Sequence, residues 1–276
     1  MCKVLQVSAS GYYYWLKNPV SLREQNEQEL VEQIKQVHEQ SKYRYGSPRI
    51  AVELQQQGVC VSRPRVARMM QKHRIQSIVR KKYRVQTTDS GHAYIVAENH
   101  LSRDFQAARP AEKWVSDLTY FRTGEGWLYL TVVLDLADRK VVGWALSETM
   151  EAEATTVAAW QMAVRNRPLF LSLLFHSDRG VQYACGAFRE QLEGMPVLQS
   201  MSRKGNCWDN AVADSFFKTM KSEMVYHHNF ATRQEARLAV FEYIEGFYNR
   251  KRRHSALGYM TPCQYENLLC NQVVAA

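Results

Sequence analysis

Apolar positions along this chain recur every three or four residues up to about residue 80, and in alternation or short runs after residue 112. Over residues 22–40, Leu30, Ile34 and Val37 recur at helical spacing among charges, which predicts an amphipathic helix. Ser47 and Pro48 follow Gly46 and suit a cap and a first helical turn. Ile50, Val52 and Leu54 carry that second helix toward Gly58. Ser62 caps a third, roughly residues 63–74, with Pro64 near its start. Three short helices joined by tight turns predict a small helical, helix-turn-helix-like DNA-binding domain over residues 23–84. A tail, 1–22, precedes it, with the aromatic cluster Tyr12-Tyr13-Tyr14-Trp15 and an end at Asn18-Pro19. Residues 85–111 read as a polar linker ending at Arg109-Pro110.

The pattern then becomes that of strands. Trp114–Phe121 predicts a first strand, followed by a turn at Gly124–Gly126. Trp127–Leu136 and Lys140–Ser147 complete an antiparallel meander. An Ala-rich helix over 151–166, a buried-type strand at Leu169–His176, a helical stretch over 181–193, a strand at Val197–Met201 and a helix over 209–224 follow. Three hairpin strands and then helix–strand–helix–strand–helix is the order of an RNase H-like α/β fold, a mixed five-stranded sheet with flanking helices, here over 112–232. In that fold, acids at the ends of the first and fourth strands meet one on the last helix. Residues 233–276 add a further helix and a basic tail.

With 276 residues, 46% of them hydrophobic, the chain can bury one sizeable core plus a smaller appendage. No apolar run reaches a bilayer span, and the N-terminus lacks an apolar signal core, so a cytoplasmic protein without a membrane partner is expected. Six scattered cysteines show no C-x-x-C pair, which excludes zinc-finger spacing and suits free thiols. Net charge is +9, and its distribution is uneven. Residues 1–110 hold 18 Lys and Arg against 9 acids, residues 111–245 hold 14 against 17, and the tail holds 4 against 1. Basic flanks around a mildly acidic middle suit a grip on a polyanion and a core that gathers metal-binding carboxylates. The third helix carries Arg63, Arg65, Arg68, Lys72 and Arg74, and no acid occurs from Leu54 to Thr88. A solvated basic face explains such a helix equally simply, but its place in a helix-turn-helix pattern points to DNA.

Three carboxylates carry the candidate chemistry. Asp117 lies within the first strand, where an unpaired buried carboxylate is costly and therefore calls for a function or a partner. Asp178 closes the fourth strand, in His176-Ser-Asp-Arg-Gly180, where a turn residue is the plainer alternative. Asp214 follows with thirty-five residues between, on a helix whose natural cap is Asp209. Asn210, Asp214, Lys218 and Lys221 form one polar face, while Val212, Phe216, Phe217 and Met220 can pack inward. Glu223, nine residues beyond Asp214, falls on the opposite side. Carboxylates so spaced suit a two-metal site acting on a phosphodiester. Arg179, Lys218, Lys221, Arg250, Arg252 and Arg253 are candidate phosphate contacts, with plain solubility as the alternative for each. His176 suits substrate positioning or strand-end packing equally, and Trp208 suits packing better than base stacking.

The motifs W-V-S-D-L-T-Y from Trp114, H-S-D-R-G-x-Q-Y from His176, G-N-C-W-D-N-A from Gly205 and Y-N-x-x-R-x-H-S-x-L-G-Y-x-T-P from Tyr248 occur in this order. Together they resemble the second-frame (OrfB) transposase of the insertion-sequence-three family, from Gly11-Tyr12-Tyr13 and Tyr45-Gly46-x-x-Arg49-Ile50 to the tail. The resemblance implies a retroviral-integrase-type core of the D,D-35-E kind, with Asp117, Asp178 and Asp214 as catalytic metal ligands. It implies two Mg²⁺ ions, with Mn²⁺ a possible substitute, bridged by Asp117 and completed by Asp178 and Asp214. It implies cleavage of element ends and transfer of a DNA 3′-hydroxyl, with terminal inverted repeats and target DNA as partners. An oligomer on DNA, an upstream-frame protein or fusion, and a bacterial, nucleoid-associated setting follow from the same resemblance. The family has Glu at the third position, in A-E-S-F-F, whereas this chain has Ala213-Asp214-Ser215-Phe216-Phe217. Asp is one methylene shorter, roughly 1.5 Å of reach. Two readings stay open: a working D,D-35-D site, or a catalytically weakened or dead DNA-binding derivative.

Overall fold

Leu30, Ile34 and Val37 fall on one side of a helix, as their spacing requires, and are buried there. The computed structural model describes residues 2–17, 21–78, 94, 96–169 and 172–274. The expected boundary at Asn18-Pro19, the end of the helical domain with the first part of the linker (79–93 and 95), and positions 170–171 of the expected fourth strand lie outside the described residues. The chain divides into two compact units, Met1–Val79 and Arg80–Ala276.

In the first unit, the stretch expected as a tail contains a short helix, α1 (Ala9–Lys17), none of whose residues is buried. Next come α2 (Leu22–Gln40), α3 (Ser47–Gln56) and α4 (Arg63–Lys72). Helix α2 starts on a reciprocal cap: Glu24 N–H donates to Ser21 Oγ at 3.2 Å, and Ser21 N–H donates to the Glu24 carboxylate at 3.0 Å. The expected Ser47 cap is not found; Gly46 is the cap residue, and Ser47 is already helical. Ile34, Ile50, Leu54 and Val66 are fully buried and hold α2, α3 and α4 together. These three helices form the expected helix-turn-helix arrangement.

The second unit is built on five strands, β1 (Lys113–Thr123), β2 (Gly126–Asp135), β3 (Val141–Ser147), β4 (Leu173–Ser177) and β5 (Val197–Met201). Their order is β3-β2-β1-β4-β5. The β1–β2 and β2–β3 pairs are antiparallel, while β1–β4 and β4–β5 are parallel. One face packs on α5 (Ala158–Asn166), which is entered through a wider turn at Glu153–Val157, and on α6 (Val181–Ala184) and α7 (Gly186–Leu192). Trp160 meets Trp114 and Phe175 edge-to-face, with ring centres 5.7 and 5.2 Å apart. A Cβ on Gly143 of β3 would lie 2.2 Å from the Ala159 carbonyl oxygen, so glycine there is what lets α5 approach.

Then follow α8 (Ala211–Glu223), α9 (Arg233–Phe241), a wider helical stretch over Glu242–Tyr248, and α10 (Pro262–Val274). Helix α10 is absent from the sequence expectations, although Thr261 and Gln264 cap its start reciprocally at 3.2 and 3.0 Å. Glu266 ties it to Lys140 and Arg167, and Arg167 also binds Asp135 and Asp138.

Candidate active site

The parallel register of β1 and β4 sets the first two acids. Val115 is the partner of His176, so two residues further along each strand brings the chain to Asp117 and Asp178. Adjacent strands lie about 4.8 Å apart, and a two-residue step returns to the same face. The two carboxylates therefore leave the carboxyl end of a parallel pair side by side. Asp117 Oδ1 accepts from Leu118 N–H at 2.9 Å, and Asp178 Oδ1 accepts from Gly180 N–H at 2.9 Å. Each acid is thereby oriented by its own backbone.

The third acid comes from α8, which packs on β1. Asn210, at the start of α8, donates from Nδ2 to the Ser116 carbonyl at 3.0 Å, which ties the helix to the residue before Asp117. Phe216, Phe217 and Met220 are buried, as expected, and Asp214 stands half-buried in the first turn. Lys218 is exposed, and Lys221 is half-buried within the field of Asp117 and Asp214.

The electrostatics join these groups. Burial pushes the Asp117 carboxyl well above the usual range, and Asp178 and Asp214 push it further, against the Leu118 N–H and Lys221. Burial raises Asp214 too, opposed by Lys218 and Lys221. Burial lowers Lys221, opposed by Asp117 and Asp214. Three oxygen-donor carboxylates that repel one another suit a hard divalent cation. Asp117, Asp178 and Asp214 are thus the residues that could hold one. Among the described residues, however, no three His, Cys, Asp or Glu side chains form a ready-made cation cage. Asp214 shares the field of Asp117.

Other candidate residues fall in different places. His176 is fully buried, with Nδ1 2.8 Å from Ser200 Oγ and Nε2 3.1 Å from Ser202 Oγ. Burial lowers its pKa to about 4, so it packs as a neutral strand-end group. Asp209 is not the cap of α8. Its fully buried carboxylate accepts from Arg203 at 2.7 Å, Arg103 at 2.9 Å and Asn99 at 2.9 Å, and these bonds, led by Arg203, hold it well below the usual range. Neither this clamp nor the bond from Asn210 to Ser116 is legible in the sequence, where only the Asp-Asn pair of the G-N-C-W-D-N-A motif and the place of Asn210 on the polar face mark these residues. Trp208, read as packing, is 68% exposed.

Arg252 is not available to phosphate. It is buried, and it donates from Nε and Nη2 to the buried Glu223. Arg253 is also buried, beside Tyr259 and Gln264. Arg250 is exposed, and Arg179 is half-buried next to Asp178. In the first unit, Arg63, Arg65, Arg68, Lys72 and Arg74 are all exposed, with Lys72 bound to Glu27 at 2.8 Å. Cys2, Cys60, Cys185, Cys263 and Cys270 are free thiols. No helix among the described residues is long and apolar enough to cross a membrane.

Known proteins share this organisation. Integrase core domain models match residues 107–207 and 214–268, and an HTH-like domain model matches residues 25–83. The chain is 42% identical over 265 residues to an uncharacterized 31 kDa protein of insertion element IS600 from Shigella sonnei, covering 96% of this chain and 97% of that one. It is 40% identical over 269 residues to the transposase InsF of insertion sequence IS3A from Escherichia coli K12, covering 97% and 93%. Among solved structures, it is similar to a chain of a simian T-cell lymphotropic virus intasome in complex with PP2A regulatory subunit B56 gamma, with a TM-score of 0.49 and 12% identity, covering 84% of this chain and 74% of that chain. The fold and its family matches define a polynucleotidyl transferase with an integrase core and an HTH-like domain. The chain belongs to the IS3 family of insertion-sequence transposases. The expected fold class and transposase function are borne out.

Proposed function

We propose that Asp117, Asp178 and Asp214 form the catalytic site of this transposase, which cuts the ends of its element and joins the freed 3′-hydroxyl to DNA. The observation that carries this reading is the Val115–His176 register, which sets Asp117, within β1, beside Asp178, just past the end of β4, with α8 packed on β1. The three acids would hold two Mg²⁺ or Mn²⁺ ions, which supply Lewis-acid chemistry for in-line attack at phosphorus. Lys218, Lys221 and Arg179 hold the phosphates beside the acids. The exposed arginines of α4 grip the duplex, and Arg250 adds a contact. The DNA partners are the terminal inverted repeats and the target, bound by an oligomer of this chain, with or without an upstream-frame fusion, at the bacterial nucleoid in the cytoplasm.

A second reading is favoured by one observation: the third acid is Asp214, one methylene shorter than the Glu that the family carries there. On that reading the chain binds DNA with a weakened or dead core. A strand-transfer assay with duplexes taken from the DNA flanking the gene separates the two. Activity in Mg²⁺ or Mn²⁺ that is lost in Asp117→Asn, Asp178→Asn and Asp214→Ala supports the first. Binding without transfer supports the second. Transfer retained in Asp214→Ala overturns the assignment of the third acid.

A further inference from the structure

We propose that the indole of Trp208 is a stacking platform for an unpaired nucleobase at a DNA end, which rests on the DNA-end reading above. Trp208 is 68% exposed, the most exposed tryptophan among the described residues. Among those residues its indole has no ring partner and no hydrogen-bond partner; only its backbone N–H is engaged, with Asn206 Oδ1 at 3.2 Å. Trp127, by contrast, rests edge-on against Tyr120 with ring centres 5.1 Å apart.

The backbone beneath Trp208 is fixed on both sides. It sits on a tight helical turn, Cys207–Asn210, that packs on β1. Asp209, next in sequence, is held by Arg203, Arg103 and Asn99. Asn210 is bonded to the Ser116 carbonyl, one residue from Asp117. A large aromatic side chain is thus carried outward from a clamped turn at the border of the three acids. Such a mount suits stacking, because few torsions are left to immobilise.

The surroundings select the ligand. The segment before Trp208 is basic: Lys204 is exposed, and Arg203 and Arg103 together outweigh the one charge of Asp209 that they bind. A bare ring on a basic segment fits a base with its phosphate. The base must be unpaired, because a base inside a duplex is covered on both faces by its neighbours. Where a strand end enters the acids, its terminal bases can leave the stack.

The test uses the full chain, its Trp208→Ala and Trp208→Phe variants, and two probes. One is a blunt DNA duplex. The other is the same duplex with an unpaired 3′ tail carrying 2-aminopurine. Wild type is expected to prefer the tailed duplex and to change the 2-aminopurine emission on binding. Trp208→Ala should weaken tailed-duplex binding by about 5- to 150-fold, the range of one base–aromatic stack, and leave blunt-duplex binding unchanged. Trp208→Phe should recover most of the loss. Equal effects on both probes, no effect on either, or an altered oligomeric state in Trp208→Ala would overturn the stacking role alone. Failure of wild type to bind either duplex would overturn the DNA-end reading and this proposal with it.

Discussion

Arg252 donates to both carboxylate oxygens of Glu223, at 2.8, 3.0 and 3.2 Å, and Tyr243 Oη adds a fourth bond at 2.9 Å. The pair fastens the last turn of α8 to the chain that follows the Glu242–Tyr248 stretch. Both side chains are nearly excluded from water, so removing one strands the other as a buried charge. Arg252→Ala should therefore lower unfolding free energy by about 3–5 kcal/mol in urea titrations, while the joint replacement Arg252→Met and Glu223→Leu costs less. A wild-type midpoint for Arg252→Ala would show that the pair holds nothing.

The first unit gives a prediction of a different kind. Arg63, Arg65 and Arg68 are exposed on α4, a helix whose other side is buried through Val66, Met69 and Met70. If each touches a phosphate, each alanine variant should reduce the slope of log affinity against log salt by about 0.9 and leave stability unchanged. Lys72, already bonded to Glu27, should have a smaller effect. Fluorescence anisotropy on a duplex across a NaCl series measures these slopes. Unchanged slopes in all three arginine variants would remove α4 from the DNA interface.

The contrast between these two sets of arginines shows what the sequence can carry. The strand order, and with it the meeting of Asp117 and Asp178, is written in local periodicity and in the sequence of elements. The burial of Phe216 and Met220 follows from helical spacing. Arg252 looks like part of a basic run because its partner Glu223 lies on another element, and no local pattern encodes that pairing. Asp209 has the position of a cap, but its bonds run to Arg103 and Asn99, more than a hundred residues away. The start of helix α10 is marked by Thr261-Pro262 and Gln264, but its apolar residues do not gather on one clear helical face.

Asp209 also gives the acid-side behaviour of the core. Its folded pKa lies below the unfolded value, because Arg203 and Arg103 hold it ionised. Its contribution to stability is present above the unfolded carboxylate range, and it is lost as pH falls through and below that range. The stability gap between wild type and Asp209→Asn should be widest at neutral pH and shrink below about pH 4. A gap that stays constant down to strongly acidic pH would mean that the clamp does not depend on charge.

Asp214 decides how well the proposed site works. Its carboxylate lies in the field of Asp117 and is one methylene shorter than the Glu that the family carries at this position. Asp214→Glu adds one methylene, roughly 1.5 Å of reach, from the same helix turn. Errors of about 1 Å in a catalytic group can cost on the order of a hundredfold in rate. Asp214→Glu should therefore raise the rate of strand transfer by about ten- to a hundredfold in Mg²⁺. The thermal midpoint should hardly move, because Asp214 is only half-buried and its neighbours Lys218 and Lys221 can follow the longer acid. The informative comparison is single-turnover rate against divalent-ion concentration for the two proteins. A lower rate for Asp214→Glu, at equal DNA binding, would mean that α8 already stands close enough for aspartate and that the longer side chain overreaches.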